Sequence, residues 1–205
     1  MPSRLSIGFV SVVLAACGPS SADPNAPSAP RVAASSGSPV ETYFPLEQGK
    51  MYTYATRDGA ESGMISMRVE RGDATHGKLV VVGTRSAKRF VYEKDGVAYE
   101  GGAYILKAPI EVGTSWPGEH GGTAKIAKTD LSMTVGDKTY GSCIQTVEDG
   151  TRPPNSRYTT TYCPGVGMVL FEVVTNEGDA RGELRSYGAP IEMQQGTSVR
   201  IEKSQ

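Results

Sequence analysis

The side chains able to do chemistry are few and scattered. The chain holds two histidines, His76 in GDATHGK and His120 in GEHGG, each in a glycine-rich turn context. A metal centre or a catalytic triad gathers partners in a recognisable arrangement. His76 has Asp73 three residues back and His120 has only Glu119 beside it, which makes neither motif. Both read as solvent-facing loop histidines. Ser115, Ser142 and Ser186 lack a G-x-S-x-G frame, and Pro164-Gly165-Val166-Gly167 lacks the Lys-Ser/Thr of a phosphate loop and leads into a strand. Glu119 with Glu100 or Asp130 would supply the two carboxylates of glycoside hydrolysis, but 22 acidic residues make such pairs unavoidable. The expectation is a non-enzymatic protein without metal or cofactor.

Binding chemistry is better represented. The aromatic set of 10 Tyr, 4 Phe and 1 Trp is tyrosine-heavy. Its plain reading is strand residues with the ring in the core and the hydroxyl at the rim. Its sharper reading places Tyr52, Tyr54, Tyr92, Tyr99, Tyr104 and Trp116 on one concave face, stacking on a lipid tail, another apolar ligand or a glycan. Lys and Arg number 21 against 22 Asp and Glu, and the charges are dispersed. Such a balance exerts no long-range pull on nucleic acid or on an anionic membrane surface.

The elements that position these residues begin after an address. Met1 to Arg4 carry one positive charge, and residues 5–16 are an apolar stretch of signal-peptide length, too short to span a bilayer. The stretch ends in Leu14-Ala15-Ala16-Cys17 followed by Gly18, which resembles the lipobox of bacterial lipoproteins. The resemblance implies cleavage between Ala16 and Cys17, a diacylated Cys17 thiol and an acylated new amino terminus. Two or more acyl chains hold a protein stably on a membrane where one is marginal. Gly18 in place of Asp implies the outer membrane, with the domain on the periplasmic face. The division is therefore a signal peptide over 1–16, a lipidated Cys and disordered Pro/Ser/Ala tether over 17–39, one domain over 40–192 and a polar tail over 193–205. The tether buries almost nothing and would reach about 25 Å as a random coil.

The domain reads as all-β. Short alternating or apolar runs at 51–57, 64–71, 78–84, 89–94, 97–100, 103–106, 123–128, 131–135, 140–148, 157–163, 166–175 and 180–187 are separated by Gly, Asp and Asn. No amphipathic helical stripe of ten residues is present. About 10–12 strands with such turn signals predict an antiparallel meander forming a barrel, half-barrel or sandwich. Asp95-Gly96 between alternating flanks signals a tight hairpin. If Cys143 sits opposite Cys163, then Ile144 faces Tyr162, Thr146 faces Thr160 and Asp149 faces Arg157, leaving 150–156 as a loop with two prolines. One register then satisfies a disulfide, an ion pair and a turn together. A two-residue Gly178-Asp179 loop sets the next hairpin, with Glu172 opposite Arg185 and Val173 opposite Leu184.

PLEQGKMY at residues 45–52 and PIEVGTSW at 109–116 share the pattern P-[LI]-E-x-G-x-x-aromatic, consistent with a repeated corner that turns into a strand and with two diverged halves of one sheet. Together with YFPLEQGKMYTY and YCPGVGMVLFE, these stretches resemble signatures of bacterial envelope lipoproteins to which no activity is attached. That resemblance implies a β architecture in the envelope. The functional expectation is a membrane-anchored binding domain for a lipid or other apolar ligand, in the manner of half-barrel lipoprotein carriers, or alternatively a structural lipoprotein scaffolding an envelope complex.

Overall fold

The computed structural model describes residues 38–190. The expected signal peptide with Ala16, Cys17, the expected tether up to residue 37, the last two residues of the expected domain (191–192) and the expected polar tail over 193–205 lie outside them. A short helix, α1 (Pro39–Tyr43), precedes twelve strands: β1 (Met51–Asp58), β2 (Glu61–Arg71), β3 (His76–Val81), β4 (Ala87–Glu93), β5 (Gly96–Tyr99), β6 (Tyr104–Lys107), β7 (Ser115–Pro117), β8 (Thr123–Val135), β9 (Lys138–Thr151), β10 (Pro154–Cys163), β11 (Gly167–Val174) and β12 (Asp179–Gly188). Successive strands pair antiparallel, and β12 returns to pair with β1 from Met51↔Gly188 to Asp58↔Ala180. The sheet is a nearly closed barrel with its gap between β6 and β7. A meander of this kind leaves two edges, and both are short. Across the gap the Trp116 indole N–H donates to the Tyr104 carbonyl at 2.9 Å.

Most expected strands are present, and the differences have local causes. The runs at 123–128 and 131–135 are one strand, β8, bent by bulges against β9. Asp130 (φ 55°) and Ser142 (φ 52°) take left-handed backbone at that bend. The three-residue β7 is too short for periodicity to register. The tight hairpin turns at residues 94–95, one position before the expected Asp95-Gly96 loop, and Gly96 opens β5. A Cβ there would lie 2.6 Å from the Tyr104 ring and 2.8 Å from the Leu106 carbonyl, so the glycine serves close packing.

In the β9–β10 hairpin the expected pairs Ile144↔Tyr162, Thr146↔Thr160 and Asp149↔Arg157 form, with the Arg157–Asp149 contact at 2.9 Å. Cys143 and Cys163 are joined by a disulfide with Cα atoms 4.2 Å apart. The loop is shorter than 150–156: Thr151 pairs with Pro154 around residues 152–153, and a bulge between Pro154 and Ser156 absorbs the offset.

The β11–β12 register corrects the expected one. Glu172 stands opposite Arg181, and Arg185 and Leu184 do not face Glu172 and Val173. The loop spans residues 175–178 instead of Gly178-Asp179. There the Thr175 hydroxyl accepts from the Glu177 and Gly178 amides and donates to the Gly178 carbonyl. The observed register places Gly182 opposite Phe171, whose Cε1 would be 2.0 Å from a Cβ at that position. Only glycine fits beneath that ring. An opposite-charge pair is kept, with Arg181 2.7 Å from Glu172.

The two echoed corners are built alike. Gly49 (φ 78°) and Gly113 (φ 95°) occupy the left-handed position, and the Lys50 and Thr114 amides donate to the Glu47 and Glu111 carbonyls, both at 3.1 Å. Gly49 N–H reaches the Val69 carbonyl while Gly113 N–H reaches that of Ile126. Val69 and Ile126 in turn donate to Lys50 and Thr114. The aromatics that follow, Tyr52 and Trp116, are 2% and 3% exposed. The repeat in sequence is thus a repeat in hydrogen bonding, opening β1 in one half and β7 in the other.

The segment before β1 closes one end of the barrel. Val40, Phe44 and Leu46 are buried, Phe44 packs edge-on against Phe90 at 5.0 Å, and the Tyr92 hydroxyl donates to the Phe44 carbonyl. Arg71 fastens this plug by an ion pair to Glu41 at 2.9 Å, and its guanidinium lies 3.8 Å from the Tyr92 ring centre.

Candidate binding site in the barrel interior

An eight-stranded barrel is just filled by its own side chains, and the interior widens with strand number. Twelve strands therefore enclose more room than the inward residues occupy. Along β1 the space is taken by Tyr52 and Tyr54, whose hydroxyls donate to the Val166 and Met168 carbonyls at 2.7 Å each. Towards the other strands a cavity of about 410 Å³ remains. Ile65, Met67, Leu79, Phe90, Tyr162 and Phe171 form its apolar wall, and Phe44 lines it from the plug. Ile65, Met67 and Phe171 are only partly buried although they point inward, the signature of an unfilled interior.

The opposite end of the cavity is polar, and residues 118–122 between β7 and β8 build it. This loop folds over β9, where a Cβ on Gly118 would come within 2.1 Å of the Glu148 carboxyl carbon and one on Gly122 within 2.0 Å of the Asp149 carbonyl. Side-chain-free backbone is needed for so close an approach. The Glu148 carboxylate, 8% exposed, accepts the His120 amide at 2.7 Å, the Gly122 amide at 3.2 Å and the His120 ring Nδ1 at 3.1 Å. The imidazole stacks on Tyr158 with centroids 3.4 Å apart and planes 9° from parallel. Beside it Lys88 pairs with Glu119 at 3.2 Å and lies 4.9 Å from the Tyr99 ring centre. Burial, then the nearby Glu119 carboxylate, pushes the Tyr99 phenol well above its usual range.

The six aromatics expected on one concave face divide. Tyr99 and Tyr104 line the cavity. Tyr52, Tyr54, Tyr92 and Trp116 are core residues, each donating to a backbone carbonyl. The Tyr104 hydroxyl bonds the Glu93 carboxylate, which pushes its phenol up to about 12. His76 is exposed and bonded to Asp73, as a turn histidine would be. His120 departs from that reading, being 29% exposed and held between Glu148 and Tyr158. Glu119 and Glu100 are ion-paired to Lys88 and Arg89 respectively, and Asp130 sits at the β8 bulge.

No family model, curated protein or solved structure matches the chain. The site therefore has to be read from its own geometry. Among the described residues no three His, Cys, Asp or Glu side chains gather into a metal-holding group. What the arrangement offers is an apolar chamber with a hydrogen-bonding mouth. Glu148, Tyr158 and Phe171 carry much of it; Phe171 falls within the YCPGVGMVLFE stretch, while Glu148 and Tyr158 stand in no motif. The one trace of them in the sequence is the pairing of Glu148 with Tyr158, which the cysteine-based register of β9 and β10 already implies.

Proposed function

We propose that the protein is a non-enzymatic binding lipoprotein that holds the apolar part of a lipid or similar ligand inside its barrel, anchored through acylated Cys17 to the outer membrane and facing the periplasm. The observation that carries the reading is the apolar cavity of about 410 Å³. It falls within the roughly 300–1,000 Å³ range of small-molecule sites and combines apolar walls with a few polar groups at one end, the usual make-up of such sites. The lipobox resemblance at Leu14-Ala15-Ala16-Cys17 supports the anchor.

The test is to extract the full-length protein in a mild detergent and identify co-purifying lipids by mass spectrometry. Thr160 lines the chamber, so Thr160→Trp should fill it. Wild type is expected to carry a stoichiometric apolar molecule and T160W to lose it while remaining folded. Equal lipid content in both proteins would sink the proposal. Separately, Cys17→Ala should move the protein from the membrane fraction to the soluble one, and an unchanged membrane pellet would remove the anchor from the reading.

The alternative, a scaffold for an envelope complex, draws on the unpaired outer edges of β6 and β7. It requires no ligand, so T160W would leave its partners bound.

A further inference from the structure

The mouth of the cavity carries information about the head group, on the premise that the chamber holds an apolar chain. Two carboxylates stand at its polar end: Glu119 and Glu148. Lys88 offsets Glu119 at 3.2 Å. Glu148 is held by two backbone amides and by the His120 ring, whose contact at 3.1 Å is an ion pair only when the imidazole carries a second proton.

A carboxylate accepting from Nδ1 holds the proton on that nitrogen, which leaves Nε2 of a neutral imidazole as an acceptor. Neither Nε2 of His120 nor the Tyr158 hydroxyl has a hydrogen-bond partner among the described residues, although the two rings are stacked at the mouth. With the imidazole neutral, the end of the chamber presents one acceptor, one hydroxyl able to donate or accept, and the Glu148 charge with no cation paired to it.

We infer that the cavity selects a single-chain amphiphile with an uncharged, hydroxyl-bearing head, of the monoacylglycerol kind, over a free fatty acid. A hydroxyl head donates to Nε2 and exchanges a hydrogen bond with Tyr158. A carboxylate head would leave Nε2 without a donor and bring a second negative charge beside Glu148 in a partly desolvated mouth. Rejection through like charge and an unpaired polar group is a common source of specificity.

The experiment titrates delipidated full-length protein at pH 8, where an imidazole is ordinarily neutral. The ligands are a monoacylglycerol and the free fatty acid of the same acyl chain, with dissociation constants measured by calorimetry. The monoacylglycerol is expected to bind about tenfold or more tightly. Glu148→Gln keeps the shape and removes the charge, so the ratio should fall toward one. Lys88→Met unmasks Glu119 from an exposed position and should widen the ratio. Equal binding of both ligands, or preference for the fatty acid, overturns the head-group inference and leaves the carrier reading standing. If neither ligand binds, the chamber serves another occupant and the carrier reading falls as well. Should E148Q fail to fold, an unchanged ratio in K88M is enough to overturn the inference.

Discussion

Glu148 shows how one side chain organises a site from a distance. Its carboxylate is 28 positions from His120 in sequence, yet it holds that residue by both backbone and ring. The residues that make this work are glycines. Gly122→Ala would drive a Cβ to 2.0 Å from the Asp149 carbonyl, a backbone atom that cannot swing aside. A loss of at least about 1–3 kcal/mol is expected from such overpacking, read from urea unfolding. Gly141→Ala is the matched control, because nothing lies within 4 Å of its Cβ position. It should change stability by well under about 1 kcal/mol, and an equal loss in both variants would refute the close-packing account. In the sequence GEHGG announced a turn. That the turn was wrapped around a carboxylate was not legible, since nothing local to residues 118–122 names a partner on β9.

At the scale of elements, turn chemistry and opposed charges gave one hairpin its register and misled on the next. The β9–β10 pairing followed from two cysteines, which demand proximity, together with Asp149 and Arg157. The β11–β12 pairing had a Gly178-Asp179 turn signal and opposed charges to guide it, the turn lies at 175–178 instead, and Glu172 finds an arginine in either register. The choice was made by Gly182 beneath Phe171 and by the Thr175 hydroxyl, both tertiary or loop-specific effects. Reducing the disulfide, which closes a loop with a separation of 20 residues, should cost about 3 kcal/mol through loop-closure entropy and lower the melting temperature accordingly. An unaltered melting temperature after reduction would contradict this. The β6–β7 gap is spanned by the Trp116 to Tyr104 bond. Trp116→Phe is expected to speed amide hydrogen exchange at Tyr104–Lys107 and at positions 115 and 116, with the β9–β10 amides unchanged; uniform acceleration across all strands would indicate global destabilisation instead.

For the whole molecule, the buried tyrosines set an alkaline limit. Burial, reinforced by neighbouring phenols, raises Tyr52 and Tyr54 well above the usual phenol range, and burial also raises Tyr162. In the unfolded chain these phenols ionise near pH 10. A raised folded-state value means that their contribution is fully present below about pH 10 and declines as the pH climbs beyond it. Melting temperatures measured from neutral pH upward should therefore hold to about pH 10 and then drop, with tyrosinate absorbance rising at the same transition. A melting temperature that stays level well above pH 10 would contradict this account.

Alternation of apolar and polar residues, with punctuation by Gly, Asp and Asn, was enough to establish an antiparallel meander and most strand boundaries, because period-two patterning is a local consequence of burying one face. The paired glycine corners and the cysteine-led hairpin were also readable, each resting on a short-range backbone requirement or a covalent one. The closure of β12 on β1, the Phe44 plug, the division of the aromatics between core and chamber, and the His120–Glu148–Tyr158 mouth belong to the folded chain alone. Each depends on where strands far apart in sequence are carried by barrel curvature, and no local pattern encodes how much interior twelve strands leave unfilled.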